Sequence, residues 1–243
     1  MKSYIISLKD RDGEFLYWVY LFFMYVRKYH IFSLPIFLSM VLYSYFISIR
    51  LFGISIFPKV CFSSGLYRIR LIRSHKSTAI IIKGILIFEK WRSGVPTTIT
   101  LGANSTLEIL NTFVLGDNCK IAVASCGHLK ICGKSIDQLS GITADSIILC
   151  SQKVEIGEGS IFSWNCYISD SSQHTYNGSL KVEPIVIGSH VWVSEGVTLA
   201  PGSKIGSGSV IGAKSFVKGE FPKAVFLAGS PAKIKSTDIN WKR

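Results

Sequence analysis

The sequence predicts a mainly β protein, a parallel β-helix of six-residue repeats preceded by an apolar helical region. Three observations predict it. Aliphatic residues return at every sixth place through Ile187, Val193, Leu199, Ile205, Ile211 and Val217. Small or branched residues follow four places after them, at Val191, Val197, Ser203, Ser209 and Ser215. Finally, Phe, Tyr, Leu and Ile concentrate in residues 15–57, while the rest of the chain has the composition of a globular protein.

A period of six fits neither a helix, at 3.6, nor a strand, at 2. It fits a larger repeating unit: one short strand and one corner per hexapeptide, three hexapeptides per triangular coil. The aliphatic residue and its small companion then point inward, and like positions stack from coil to coil. Gly188, Gly206 and Gly212 follow the aliphatic residue, where a side chain would obstruct a tight backbone path. The frame extends backwards through Ile156, Phe162 and Ile168, with Val154, Ser160 and Cys166 as companions. Ile142/Ala144 and Ile148/Cys150 continue it, and Leu107/Ile109, Phe113/Leu115 and Cys119/Ile121 form a weaker run. The expected organisation is an apolar helical region over 1–75, a β-helix over 76–221 and a tail over 222–243.

The frame is interrupted by a longer segment after Ile168. Ile168 and Ile187 are 19 apart, one more than a coil of eighteen, and the intervening segment is polar with Gly and Pro. A break of this kind in a regular solenoid is where function is expected. It contains His174, beside Ser172, Gln173 and Thr175. An imidazole titrating near neutral pH suits removal of a proton from a hydroxyl. Asp170, four residues earlier, is a candidate to orient it, with a backbone carbonyl as the alternative.

The net charge of +12 favours acidic partners such as anionic lipid or a phosphorylated cofactor. Lys and Arg form no tail, and Arg does not alternate with aromatics, so nucleic acid is not an expected partner. None of the six cysteines stands in CxxC or zinc-ribbon spacing. They lie among apolar residues, as buried thiols in a reducing compartment would. The start, MKSYIISLKDRDGEF, has charges and no small-residue cleavage site before the apolar stretch, so a cytoplasmic location is expected.

From Asp170 through PIVIGSHVWVSEGV to AGSPAKI, the chain resembles the hexapeptide-repeat O-acetyltransferases of galactosides, maltose, nodulation factors and bacterial surface polysaccharides. The resemblance covers roughly residues 140–235. It implies a left-handed coil, a homotrimer, acetyl-CoA as acetyl donor, a sugar or glycan acceptor and no metal. It implies His174 as general base and Trp192 as a wall of the acceptor and acetyl pocket. Backbone groups of Ala213 and Lys218 would hold the pantetheine arm, and Lys233 would lie near the nucleotide end. Two departures stand out. Relatives commonly continue Trp-Ile-Gly where this chain has Trp192-Val193-Ser194. Glu195 replaces a small polar residue that often assists the oxyanion; it either points away or binds the acceptor. The competing readings are N-acetyl transfer to a nucleotide-linked amino sugar and a non-catalytic β-helix scaffold. A zinc site from His128, His174 and His190 lacks the close spacing that such sites use.

Residues 31–49 are 19 residues without a charge, and residues 15–26 are a shorter aromatic run. Pro35, four serines and two tyrosines make the longer stretch amphiphilic. Arg27, Lys28 and Arg50 flank it. Aromatic, cation-flanked helices favour the membrane interface. The expectation is interfacial helices or a re-entrant hairpin on the cytoplasmic side; the alternative is that they cap the first coil and pack in the trimer.

Overall fold

The fold is that of a computed structural model of the chain. The structure describes residues 19, 22–23, 34–54, 58–62, 69–73, 77–90, 95–135 and 140–242. Nearly all of the 15–26 run, with Arg27 and Lys28, lies outside these residues.

Three parallel sheets form the sides of a prism. Their inward residues stack in columns. The first face carries Phe88, Leu115, Ile142, Phe162, Val193, Ile211 and Leu227. The second carries Ile99, Ile121, Ile148, Ile168, Leu199 and Val217. The third carries Ile82, Ile109, Ile131, Ile156, Ile187 and Ile205. All are buried, as are the five expected companions from Val191 to Ser215. Burial of one such aliphatic side chain contributes about 1.5–3 kcal/mol.

The corners have a repeating conformation of their own. His190, Gly196, Gly202, Gly208 and Lys214, again six apart, all adopt left-handed backbone with φ of 55–81°. Glycine suits this conformation, and His190 and Lys214 adopt it at a cost. Gly188 and Gly206 serve the other purpose: a Cβ on Gly188 would lie 2.6 Å from Ser207 N, and one on Gly206 would meet the backbone of Lys223. The serine companions satisfy the corners. Ser203 Oγ donates to Ala200 O at 2.6 Å, and Ser215 Oγ donates to Gly212 O at 2.7 Å.

The prism differs from the sequence reading at both ends. It begins before residue 76: Val60–Phe62 pairs with Leu86–Glu89, and Ile69–Arg73 pairs with Thr97–Leu101. These early coils take 22 to 28 residues per turn rather than eighteen, which hides them from a six-residue count. It also continues past 221. Phe226–Gly229 extends the first face and Ala232–Ser236 returns antiparallel along it.

Before the prism stands a helix, α1, Leu34–Phe52. Pro35 suits a helix start, and Gly53, at φ +83°, ends it. Phe37, Met40, Ser44, Ile47 and Ser48 make its buried face. Val60–Phe62 is the outermost strand of the first face, with backbone N–H groups that need partners. Ser48 Oγ accepts from Lys59 N at 2.9 Å, and Ser44 Oγ accepts from Phe62 N at 3.2 Å. Two of the serines that made this stretch read as amphiphilic, Ser44 and Ser48, therefore serve the prism, so the capping alternative describes this face of the helix. Among the described residues, no helix is long and apolar enough to cross a membrane.

Candidate active site

The break in the repeat is a hairpin inserted at a corner. The second-face residue Ile168 and the third-face residue Ile187 belong to consecutive sides of one coil, where six residues would suffice. Nineteen separate them, so thirteen are looped out; the break is an insertion within a coil rather than a coil plus one. The excursion is an antiparallel pair, Ser171–Tyr176 with Ser179–Val182, turned at Asn177-Gly178. Glu183 N donates to Asp170 O at 2.9 Å and closes its neck.

His174 sits in a bulge of the first strand, where the register shifts between Ser171 and Thr175. Bulges re-aim side chains and gather near active sites. Here Gln173 takes φ 63°, and serines hold the distortion. Ser172 Oγ donates to His174 O at 2.8 Å and accepts from Lys181 N at 3.3 Å. Ser171 Oγ accepts from Gln173 N at 3.0 Å. The His174 side chain is solvent-exposed.

Asp170 is fully buried, and its carboxylate has other partners than the imidazole. It accepts from Ser151 N at 2.6 Å, Gln152 N at 2.8 Å and Lys153 N at 2.7 Å. Three backbone donors are strong support for a buried charge. Asp170 thus ties the hairpin's root to the corner of the coil above, and reaches His174 only through the backbone.

The other expected site residues fall on two edges of the prism. Trp192 faces outward on the first face and is 39% exposed. Glu195 and Ala213 are exposed at the corner after that face, in successive coils joined by Lys214 N donating to Glu195 O at 2.8 Å. Lys218 is exposed at the edge that bears the hairpin, and Lys233 is exposed on the returning strand. His174 and Ala213 therefore leave the prism at different edges of one copy.

One aromatic cluster was not anticipated. The tail brings Trp241 onto His190, ring on ring at 4.0 Å and 4°. Trp241 Nε1 donates to His190 O at 3.1 Å, and His190 Nε2 lies 3.1 Å from Trp241 O. Trp192 is 5.9 Å from Trp241. A signal existed in the sequence: a histidine at a corner position that its neighbours fill with glycine.

Residues 184–219 match the bacterial transferase hexapeptide family, six repeats. This chain carries the bacterial transferase hexapeptide repeat. It is 34% identical over 97 residues to an Escherichia coli K12 protein named as a lipopolysaccharide biosynthesis O-acetyl transferase, covering 34% of this chain and 50% of that one. It is 34% identical over 84 residues to an Escherichia coli K12 protein named as a colanic acid biosynthesis acetyltransferase, covering 34% of this chain and 46% of that one. The match spans about half the length of these relatives. The fold is similar to that of the polysialic acid O-acetyltransferase OatWY, with TM-score 0.58 and 21% identity over 73% of this chain and 92% of that chain. The architecture is the left-handed β-helix of that group.

Proposed function

We propose that this protein is an acetyl-CoA-dependent O-acetyltransferase acting on a sugar hydroxyl of a bacterial surface polysaccharide or its lipid-linked precursor. The observation that carries this reading is the hairpin: the repeat is interrupted by an insertion whose bulge presents an exposed histidine. The names of two relatives support the acetyl group and the glycan acceptor.

In this reading, neutral His174 takes the proton of the acceptor hydroxyl as its oxygen attacks the thioester carbonyl. The carbon–sulfur bond breaks from the tetrahedral intermediate, and the imidazolium returns the proton to the leaving thiolate. The products are an acetyl ester and free coenzyme A. Backbone N–H groups stabilise the oxyanion, a contribution on the order of 3 kcal/mol per donor. Ala213 and Lys218 hold the pantetheine arm, Lys233 the nucleotide end, and Trp192 and Glu195 border the acceptor. Asp170 is a positioning residue.

The separation of His174 from Ala213 supports a cleft shared between copies in a homotrimer. The outward column of the first face, Val114, Gly141, Ile161, Trp192, Val210 and Phe226, is wholly apolar. The outward column of the third face is instead mostly charged: Ile81, Glu108, Lys130, Glu155, Val186, Lys204 and Glu220. The apolar face suits a neighbouring copy and the charged face suits water. A monomeric mass for active protein by light scattering would remove the shared cleft.

The test is release of coenzyme A thiol from acetyl-CoA when a glycan acceptor is supplied. His174→Ala lowers turnover at least about a hundredfold, the scale of general acid–base help, with folding retained. Undiminished turnover in that variant ends the mechanism. Thiol release with nucleotide-linked amino sugars and not with glycans would favour N-acetyl transfer instead.

A further inference from the structure

Helix α1 has a second face that the prism does not use. Leu38, Leu42, Phe46 and Ile49 lie at spacings of four, four and three, which places them on one side. That side is opposite the buried Phe37, Met40, Ser44, Ile47 and Ser48. Leu42 is 70% exposed, Phe46 59%, and Ile54 just beyond the helix 93%. Phe22 meets Phe37 edge-on at 5.5 Å, on the opposite face, and leaves this one uncovered.

A helix that turns one side to water normally carries charged residues there. Helix α1 has no Asp, Glu or Lys; Arg50, exposed in its last turn, is its single charge. A contiguous apolar face of this kind marks an interaction surface. Its occupant must be apolar at depth and acidic at its rim, because the only charge offered is a cation and the chain carries a formal +12. A bilayer containing anionic lipid has that profile. Crossing is excluded for α1 by its other face, which Ser44 and Ser48 fasten to the end strand of the prism.

We propose that the outward face of α1, Leu38, Leu42, Phe46 and Ile49 with Arg50, seats the protein flat on an anionic lipid bilayer. The serine face fixes the helix to the first coil, so the prism stands on the membrane by that end. In a trimer of parallel prisms, three such helices lie at one end and bind together. The surface assignment stands apart from the acyl-transfer reading. Its consequence, that the hairpin works on lipid-linked acceptors, rests on that reading.

The experiment is sedimentation of the full chain with vesicles of phosphatidylglycerol and phosphatidylcholine, and of phosphatidylcholine alone. The full chain pellets with the mixed vesicles and more weakly with phosphatidylcholine. Leu42→Glu/Phe46→Glu lowers the partition coefficient at least about tenfold, and Arg50→Glu removes the preference for phosphatidylglycerol. Both variants keep the light-scattering mass of the parent and its thiol release with a soluble glycan. Failure of the parent to pellet with mixed vesicles, or equal pelleting of the double variant, overturns the proposal. So does a loss of mass in the double variant, which would make this face a contact between copies. Thiol release, measured without vesicles, reports on the acyl-transfer reading separately.

Discussion

At the scale of single residues, Asp170 is a buried carboxylate whose partners belong to another coil. Its carboxylate collects three backbone N–H groups of residues 151–153, seventeen to nineteen positions away in sequence. Asp170→Asn keeps the shape but presents an amide N–H to donors. We expect a loss of about 1.5–3 kcal/mol in stability, the range for hydrogen bonds to a charged group, measured by urea unfolding. Turnover falls because the root of the hairpin loosens. The midpoint of the pH–rate profile stays in place, since the carboxylate does not touch the imidazole; a moved midpoint would restore Asp170 as the direct partner of His174. The sequence showed Asp170 four residues before His174, and proximity in sequence suggested a pair. Which donors a carboxylate faces in a solenoid depends on the coil stacked above it, and no local pattern reveals that. The hairpin that carries His174 was legible because the period of six fails there.

Among the elements, α1 tests the same lesson on serines. Inside an apolar stretch they read as signs of an interfacial helix. In the structure Ser44 and Ser48, one turn apart, satisfy the exposed edge of Val60–Phe62, while Ser39 bonds its own helix at Ile36 O. Removal of either capping hydroxyl leaves a strand N–H without its partner. We expect Ser44→Ala and Ser48→Ala each to cost about 1–3 kcal/mol. Ser39→Ala, on the exposed side, should cost less than about 0.5 kcal/mol. Urea midpoints for the three variants check this; equal small effects would mean that α1 does not cap the prism. The regular repeats after residue 140 were legible for a simple reason: inward columns demand aliphatic residues at a fixed interval. The coils before residue 135 obey the same demand with longer corners, and a corner of variable length erases the interval without changing the fold.

For the whole molecule, the prism is a single apolar column wrapped in three ladders, and three of its cysteines are part of the column, whereas Cys126 is exposed and Cys132 half-buried. Cys119, Cys150 and Cys166 are each 1% exposed. Burial raises their thiols from 9.0, to about 12 for Cys119 and Cys150 and to about 11 for Cys166. The nearby Asp117, Asp145, Asp170 and Glu195 carboxylates add smaller upward contributions. At neutral pH the thiols are protonated in both folded and unfolded chains, and they add nothing to pH dependence. Above about 9 the unfolded thiols lose protons while the folded ones keep them. The unfolded state then binds fewer protons, so stability falls as pH rises, until the folded thiols also ionise near 11–12. The midpoint of thermal unfolding should therefore fall progressively from pH 9 to pH 11. A variant with Cys119, Cys150 and Cys166 replaced by Ala is less stable at pH 7, because three cavities open in the column. Its midpoint should nevertheless fall less steeply over the same interval. Iodoacetamide at pH 8 gives an independent reading: exposed Cys126 is alkylated in the folded protein, and the three column thiols only after unfolding. An alkaline fall as steep in the triple variant as in the parent would assign the effect to other groups and show that the column cysteines do not govern it.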